Sequence, residues 1–273
     1  MEIAPPGPVK PLWRRIIRSP IFDIFQFSIL MLVVFWFFAN STASMGYNWQ
    51  WYQIPKYIFT FGEAGFKPGP LWDGLMVTIR ISGVSLLLAF AIGLAAALFR
   101  LSNSFVARTL SRVYLETIRN TPLLIQLFFI YFVLGPVLGI SRMASAILAL
   151  SLFEGAYASE IFRAGIVSIR RGQWEAAYSL GLSTFDAYFY IILPQAVRRI
   201  LPPLTSQAIS LIKDSALVST IAVYDLTMQA QAVIAETYLV FELWFTVAGI
   251  YLAVTVILSI IVNYMEHRFQ VVT

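Results

Sequence analysis

Six apolar stretches dominate the chain, each close to the roughly 20 residues a helix needs to cross a bilayer. They run over about 21–39, 75–99, 122–140, 143–166, 201–223 and 239–264, the fifth interrupted by Lys213 and Asp214. Hydrophobic residues make up 59% of the chain and charged ones only 12%, about half the charge of a typical soluble domain. The expected fold is therefore an all-α polytopic membrane protein with about six transmembrane helices.

The cations are unevenly spread. Lys10, Arg14, Arg15 and Arg18 precede the first stretch, Arg100, Arg108 and Arg112 follow the second, and Arg163, Arg170, Arg171, Arg198 and Arg199 crowd the 164–200 loop. The segment from Asn40 to Trp72 holds only Lys56 and Lys67. By the positive-inside rule both termini and the 164–200 loop are cytoplasmic, and an even number of spans agrees with that. The net charge of +5 is thus accounted for by loops at the membrane, with no nucleic acid implied. Trp49, Trp51, Tyr52 and Trp72 suit an outer interfacial belt. The first apolar run exceeds the usual signal core of about 7–15 residues and reads as a retained anchor.

No cysteine is present, so disulfides and thiolate metal sites are excluded, and the lone His267 reads as a surface residue with no metal role. There is no H-E-x-x-H or G-x-S-x-G, which argues against a membrane enzyme.

Residues 172–194, GQWEAAYSLGLSTFDAYFYIILP, break the apolar pattern. Trp174, Ala177, Tyr178 and Gly181 share one helical face, with Glu175 and Ser179 off it. Gly181 is placed to end that helix in the left-handed conformation. Ser183, with Asp186 three residues on, resembles an N-cap. Phe185, Tyr188, Phe189, Ile192 and Leu193 give a second apolar stripe, and Pro194 marks a break or kink. On the residues alone, this helix–turn–helix is either an amphipathic loop resting on the membrane or a device with a partner.

Glu175-Ala176-Ala177, then Gly181, then Ile192-Leu193-Pro194 resemble the EAA signature of permease subunits in binding-protein-dependent ABC importers. ETIRNTPLLIQLFFIYF (116–132), AYASEIFRAGIVSI (156–169) and SLIKDSALVSTIAVYDL (210–226) resemble the branch that imports polar amino acids of the His, Gln, Glu and Arg type. The resemblance implies a type I importer permease domain over 72–265, preceded by a basic tail (1–19) and an additional helix with a periplasmic segment (20–71), and followed by a short cytoplasmic tail (266–273). It implies a bacterial cytoplasmic (inner) membrane location. It also implies that Glu175, Ala176, Ala177 and Gly181 form a coupling helix for a separate ATP-binding cassette ATPase. That partner would bind ATP and Mg, since this chain has no G-x-x-x-x-G-K-[ST] loop and needs no cofactor of its own. Further implied partners are a second permease chain, identical or related, a periplasmic or lipid-anchored amino-acid-binding protein, and membrane lipid.

Ionisable residues inside spans are costly and are functional candidates by default. Glu160 and Arg163 stand at i, i+3, so Glu160 is either a structural ion pair or a substrate contact. Glu154 and Tyr157 share a face about 120° from Glu160, and Glu154 has no local cation. Glu154 is therefore a candidate for substrate choice, as partner of an ammonium. Lys213 and Asp214 point differently along their helix and are expected to bond to another span or to substrate. Asn120, Thr121 and Gln126 flank or enter the third span. Thr78, Ser82 and Ser85 form a hydroxyl stripe that either lines a cavity or bonds back to its own helix. Arg80 points about 160° from Thr78; it either snorkels to the interface or meets a carboxylate. Glu242 reads as interfacial. An importer of another solute shares this coupling logic; an ATP-independent secondary transporter has no use for the EAA stretch.

Overall fold

The computed structural model describes residues 20–44, 46–62 and 65–269. The expected basic tail before Pro20 and the side chains of His267 and Arg268 lie outside what it describes. Its contacts divide the chain into two units, one ending at Trp49 and one beginning at Gln50.

The first unit is built on α1 (Pro20–Ser44). Its apolar part, Phe22–Phe37, is shorter than the other candidate spans. Phe25, Phe27, Phe35 and Trp36 are all more than half exposed, as befits a helix with no polar face whose solvent is lipid.

The second unit opens with a 3₁₀ turn (Trp51–Gln53) and the short α2 (Pro55–Ile58). An antiparallel hairpin follows, β1 (Phe59–Gly62) on β2 (Gly65–Pro68), with Phe59 opposite Pro68 and Phe61 opposite Phe66. Among the described residues this hairpin is the one departure from the all-α expectation. Its aromatics pack edge to face, and Phe66 reaches Trp72 at 5.8 Å.

The helices then run α3 (Pro70–Leu101), α4 (Phe105–Arg119), α5 (Leu123–Phe128), α6 (Gly135–Leu138) and α7 (Arg142–Val167). They continue as α8 (Arg171–Ser179), α9 (Thr184–Asp186), α10 (Leu193–Asp214), α11 (Leu226–Thr237) and α12 (Val240–Phe269). Three expected spans stand as single helices: α3, α7 and residues Val240–Tyr264 of α12.

The other two are broken. The third belongs to a pair, α4 and Leu123–Leu138, bent by 106°. Pro122 disfavours helix at Thr121, and the Gln126 side-chain amide donates to the Ile118 and Thr121 carbonyls, both at 2.8 Å, replacing ladder bonds lost at the corner. The fifth was expected to begin near Leu201 after a stop at Pro194. The helix instead runs from Thr184 to Ile221 and bends by 47° into α11. Pro194 does not end it because a π-helical segment, Ala187–Ile192, widens the ladder just before the proline. The wider turn gives room to a ring that lacks an N–H and crowds the preceding turn. The Gln195 side chain donates to the Ile191 carbonyl at 2.9 Å. A second π segment, Phe129–Leu134, precedes Pro136 in the same way.

Helices α3 and α7 pack backbone to backbone. A methyl group added at Gly93 would stand 2.8 Å from the Gly155 carbonyl oxygen, so only glycine permits this crossing. Small residues are the usual means of close helix approach in lipid. Ile81, Leu127, Leu150, Leu211 and Val218 then join α3, α5, α7 and α10 in one core, and Ala158, Ile192, Ala196 and Ile200 form a second against α7. The hydroxyl stripe is turned into this packing: Thr78, Ser82 and Ser85 are buried. It does not bond back to its own helix. Thr78 accepts from the Leu226 N–H at 3.1 Å, and Ser85 donates to the Ile147 carbonyl at 3.4 Å. Glu242, in the first turn of α12, is fully buried and accepts the Gln50 N–H at 2.7 Å, so it anchors the loop at that end of the helix.

Candidate functional site

Helix α8 begins after Arg170 and carries an exposed ion pair between Arg171 Nε and Glu175 Oε1 at 3.1 Å. It ends in a paired closure: the Leu182 N–H donates to Ala177 at 3.2 Å and the Gly181 N–H to Tyr178 at 2.9 Å. This closure needs a left-handed residue, and Gly181 has φ +77. Nothing lies within 4 Å of where its Cβ would be, so the backbone conformation is the whole constraint, worth roughly 1–2 kcal/mol against an L side chain.

Ser183 caps the next helix, accepting the Asp186 N–H at 3.1 Å. The two helices are locked by Trp174, edge-on to Tyr188 at 4.6 Å, and by Gln195 donating to Gln173 at 3.0 Å. Ala177 is buried at 2% exposure, so its small side chain serves packing within the chain. Glu175, Ala176 and Gly181 face outward, beside the exposed apolar side chains of Leu180 and Phe185.

The polar residues of α7 divide into two groups. Glu160 is bonded by Arg100 from α3, by Arg119 from α4 at 3.2 Å and by Arg163 of its own helix at 2.9 Å. The expected pair with Arg163 is present, and it is one contact of three. Tyr157 belongs to this group too: the Arg119 guanidinium lies 5.8 Å from its ring centroid. Three cations on one carboxylate pin three helices together at the basic end of the bundle.

Glu154 is 2% exposed, and neither carboxylate oxygen has a hydrogen-bond partner. The polar groups that face it are the Gln207 amide and the Asp214 carboxyl, both on α10, without reaching bonding geometry. Asp214 therefore does approach another span, and what it finds there is a like charge. Lys213, its neighbour, points outward and is exposed. Two acids and a carboxamide face one another here, with Lys213 acting on Asp214 from the outer side; such a group can hold an ammonium or guanidinium, and a buried carboxylate left bare is costly.

The remaining candidates are not gathered here. Asn120 donates to the Glu116 carbonyl at 2.7 Å and Thr121 to the Thr117 carbonyl at 2.9 Å, while Gln126 holds the corner. Arg80 is exposed and has no ion pair among the described residues. Gln207 was missed; it lies two helical turns from Asp214, and that spacing was the available signal. Arg100 and Arg119 were also missed as partners of Glu160, since contacts across 60 and 41 residues leave no local pattern.

Comparison with known proteins agrees with this architecture. Residues 89–271 match the family described as "Binding-protein-dependent transport system inner membrane component". The chain is 43% identical to the probable glutamine ABC transporter permease protein GlnP of Bacillus subtilis (strain 168), over 72% of this chain and 93% of that one. It is 39% identical to the L-cystine transport system permease protein TcyB of the same organism, over 73% and 86% respectively. The crystal structure of an amino acid ABC transporter with histidines superposes with a TM-score of 0.69 at 36% identity, covering 73% of this chain and 94% of that one. A bacterial ABC transporter that imports alginate shares the fold at a TM-score of 0.64 and 15% identity. The chain belongs to the family of binding-protein-dependent transport system inner membrane components.

Proposed function

We propose that this chain is the permease subunit of an ATP-driven importer and carries a polar or charged amino acid into the cytoplasm. The observation that carries the proposal is the module from Arg171 to Leu193. It is rigidly capped, closed by a left-handed Gly181, and presents Glu175, Ala176, Leu180 and Phe185 to the outside. A rigid external module fits a chain without a phosphate-binding loop of its own: a separate ATPase, holding ATP and Mg, docks there. Closure of the ATPases passes through α8 and the continuous helix from Thr184 into the spans and switches access from one side to the other. A second permease chain completes the pathway, and a binding protein delivers substrate from outside. The termini and the module lie on the cytoplasmic side, as the arginine distribution requires.

The substrate class rests on relatives named for glutamine and cystine and on Glu154. With Gln207 and Asp214 it receives the substrate ammonium. The test is co-purification of the assembled complex. Gly181→Val forces a β-branched residue into the left-handed region and is expected to release the ATPase while the permease still elutes as a folded species. Undiminished co-purification would refute docking at this module.

A further inference from the structure

The β1–β2 hairpin has no part in the coupling module or the substrate route, and it is not built to stand in water. A lone two-stranded hairpin is marginal there and needs something to pack against. Its register sorts the side chains by face. Phe59 stands opposite Pro68 and Phe61 opposite Phe66, while Thr60 stands opposite Lys67 and Gly62 opposite Gly65. Alternate residues of a strand point to opposite faces. One face is therefore three phenyl rings and a proline, and the other carries Thr60, Lys67 and two glycines. The rings touch one another, with centroids 5.5 to 5.9 Å apart, yet Phe59, Phe61 and Phe66 remain 39%, 77% and 51% exposed.

The place of this aromatic face is fixed. Gly69 alone separates β2 from α3, and its N–H donates to the Ile58 carbonyl at 2.8 Å. Just ahead of the hairpin, Ile54 is buried in one core with Leu71 and Leu226. Phe66 stands edge-on to Trp72. From Trp72 an exposed apolar row continues along α3 through Met76 and Ile79, at i, i+4, i+7. Helix α3 is one of the three unbroken spans. The aromatic face of the hairpin thus prolongs the outward surface of a membrane span. Arg80 flanks that row; helical side chains lean toward the N-terminus, so its stem can carry the guanidinium to the same level.

Two features select what covers it. A protein interface carries about one hydrogen bond per 100–200 Å², and no side chain on this face can make one, so the face fits hydrocarbon. The sheet has only two strands, so its outer edges leave backbone N–H and C=O groups unpaired, which the hydrocarbon core does not tolerate. A face that needs an apolar partner and edges that need water are satisfied together at the membrane interface, where aromatic residues gather.

We infer that the β1–β2 hairpin is a membrane anchor. It lies in the headgroup layer at the Trp72 end of α3, with Phe59, Phe61 and Phe66 against the acyl chains and Thr60 and Lys67 toward water. The inference rests on α3 as a membrane span and is independent of ATP coupling and of the substrate assignment.

The chain has no cysteine, so spin labels can be placed singly. The full chain, in liposomes of phosphatidylethanolamine and phosphatidylglycerol, is labelled through T60C, F61C, F66C or K67C. Each label is probed by electron paramagnetic resonance with oxygen, which concentrates in lipid, and with a water-soluble nickel chelate. Labels at 61 and 66 are expected to collide with oxygen and to lose contact with the chelate; labels at 60 and 67 should do the reverse. Each phenyl ring favours lipid by roughly tenfold. With the label at position 59, F61S/F66S should therefore shift the partition toward water by roughly a hundredfold, and F61L/F66L should hold it in lipid. Equal chelate access at all four positions would overturn the inference, as would a label at 59 that stays in lipid in F61S/F66S. Shielding of 61 and 66 from both reagents would mark contact with a second copy of this chain, and shielding that appears only on adding the binding protein would mark its docking surface; either would also overturn it.

Discussion

Glu154 and Glu160 lie on the same helix and less than two turns apart, in opposite surroundings. Glu160 is about a quarter exposed and has three guanidiniums within bonding reach. Glu154 is buried and bare, with another carboxyl for a neighbour. The first arrangement has more cation than it needs and holds helices in place. The second lacks a cation, and in the proposed function a substrate ammonium supplies it. An acid in a membrane span is thus not informative by its identity; the balance of charge around it separates framework from site.

The contrast is broken most strongly at Glu154. Glu154→Gln removes the charge that, in the proposed function, meets the ammonium. Losing one partner of a desolvated charge pair costs about 2–5 kcal/mol, so uptake is expected to fall at least roughly thirtyfold. Thermal stability should stay level or rise, because a bare buried charge is gone. Uptake and melting temperature, measured on the same preparation, check both halves.

Glu160→Gln should do the reverse. It leaves three arginines facing one another. Removing a buried partner costs about 3–5 kcal/mol, which partial exposure reduces to about 1–3 kcal/mol. A scanning melt should show a fall of roughly 2–12 °C, with uptake per folded molecule little changed. A large loss of uptake at unchanged melting temperature would move Glu160 into the site.

Arg119→Gln is the gentler probe. Its bond to Glu160 is 3.2 Å and its side chain is 45% exposed, so the expected loss is within about 1 kcal/mol. The melt of this variant should lie between wild type and Glu160→Gln. An effect equal to that of Glu160→Gln would mean that Arg119 is the main tie.

Much of this was legible in the residues. Apolar length located the three spans that stand as single helices, and local chemistry located the Gly181 turn and the Ser183 cap, because both are set by neighbours in sequence. The corner at Pro122 and the passage through Pro194 were not legible. In each, a side-chain amide or a π turn replaces a lost backbone bond, and Gln126 and Gln195 carry no periodic mark of that role. For Glu242 the place near the end of its helix was legible, and its contact with Gln50, 192 residues away, was not. Glu154 was singled out correctly as lacking a local cation; the acid and amide that face it come from a helix more than 50 residues on.

The most direct test of the central claim is uptake of a labelled amino acid into proteoliposomes holding this chain, its ATPase and the binding protein. Accumulation should require ATP on the side of the Arg171–Leu193 module and should vanish with Gly181→Val. Accumulation by this chain alone, driven by an ion gradient without ATPase or ATP, would contradict the account.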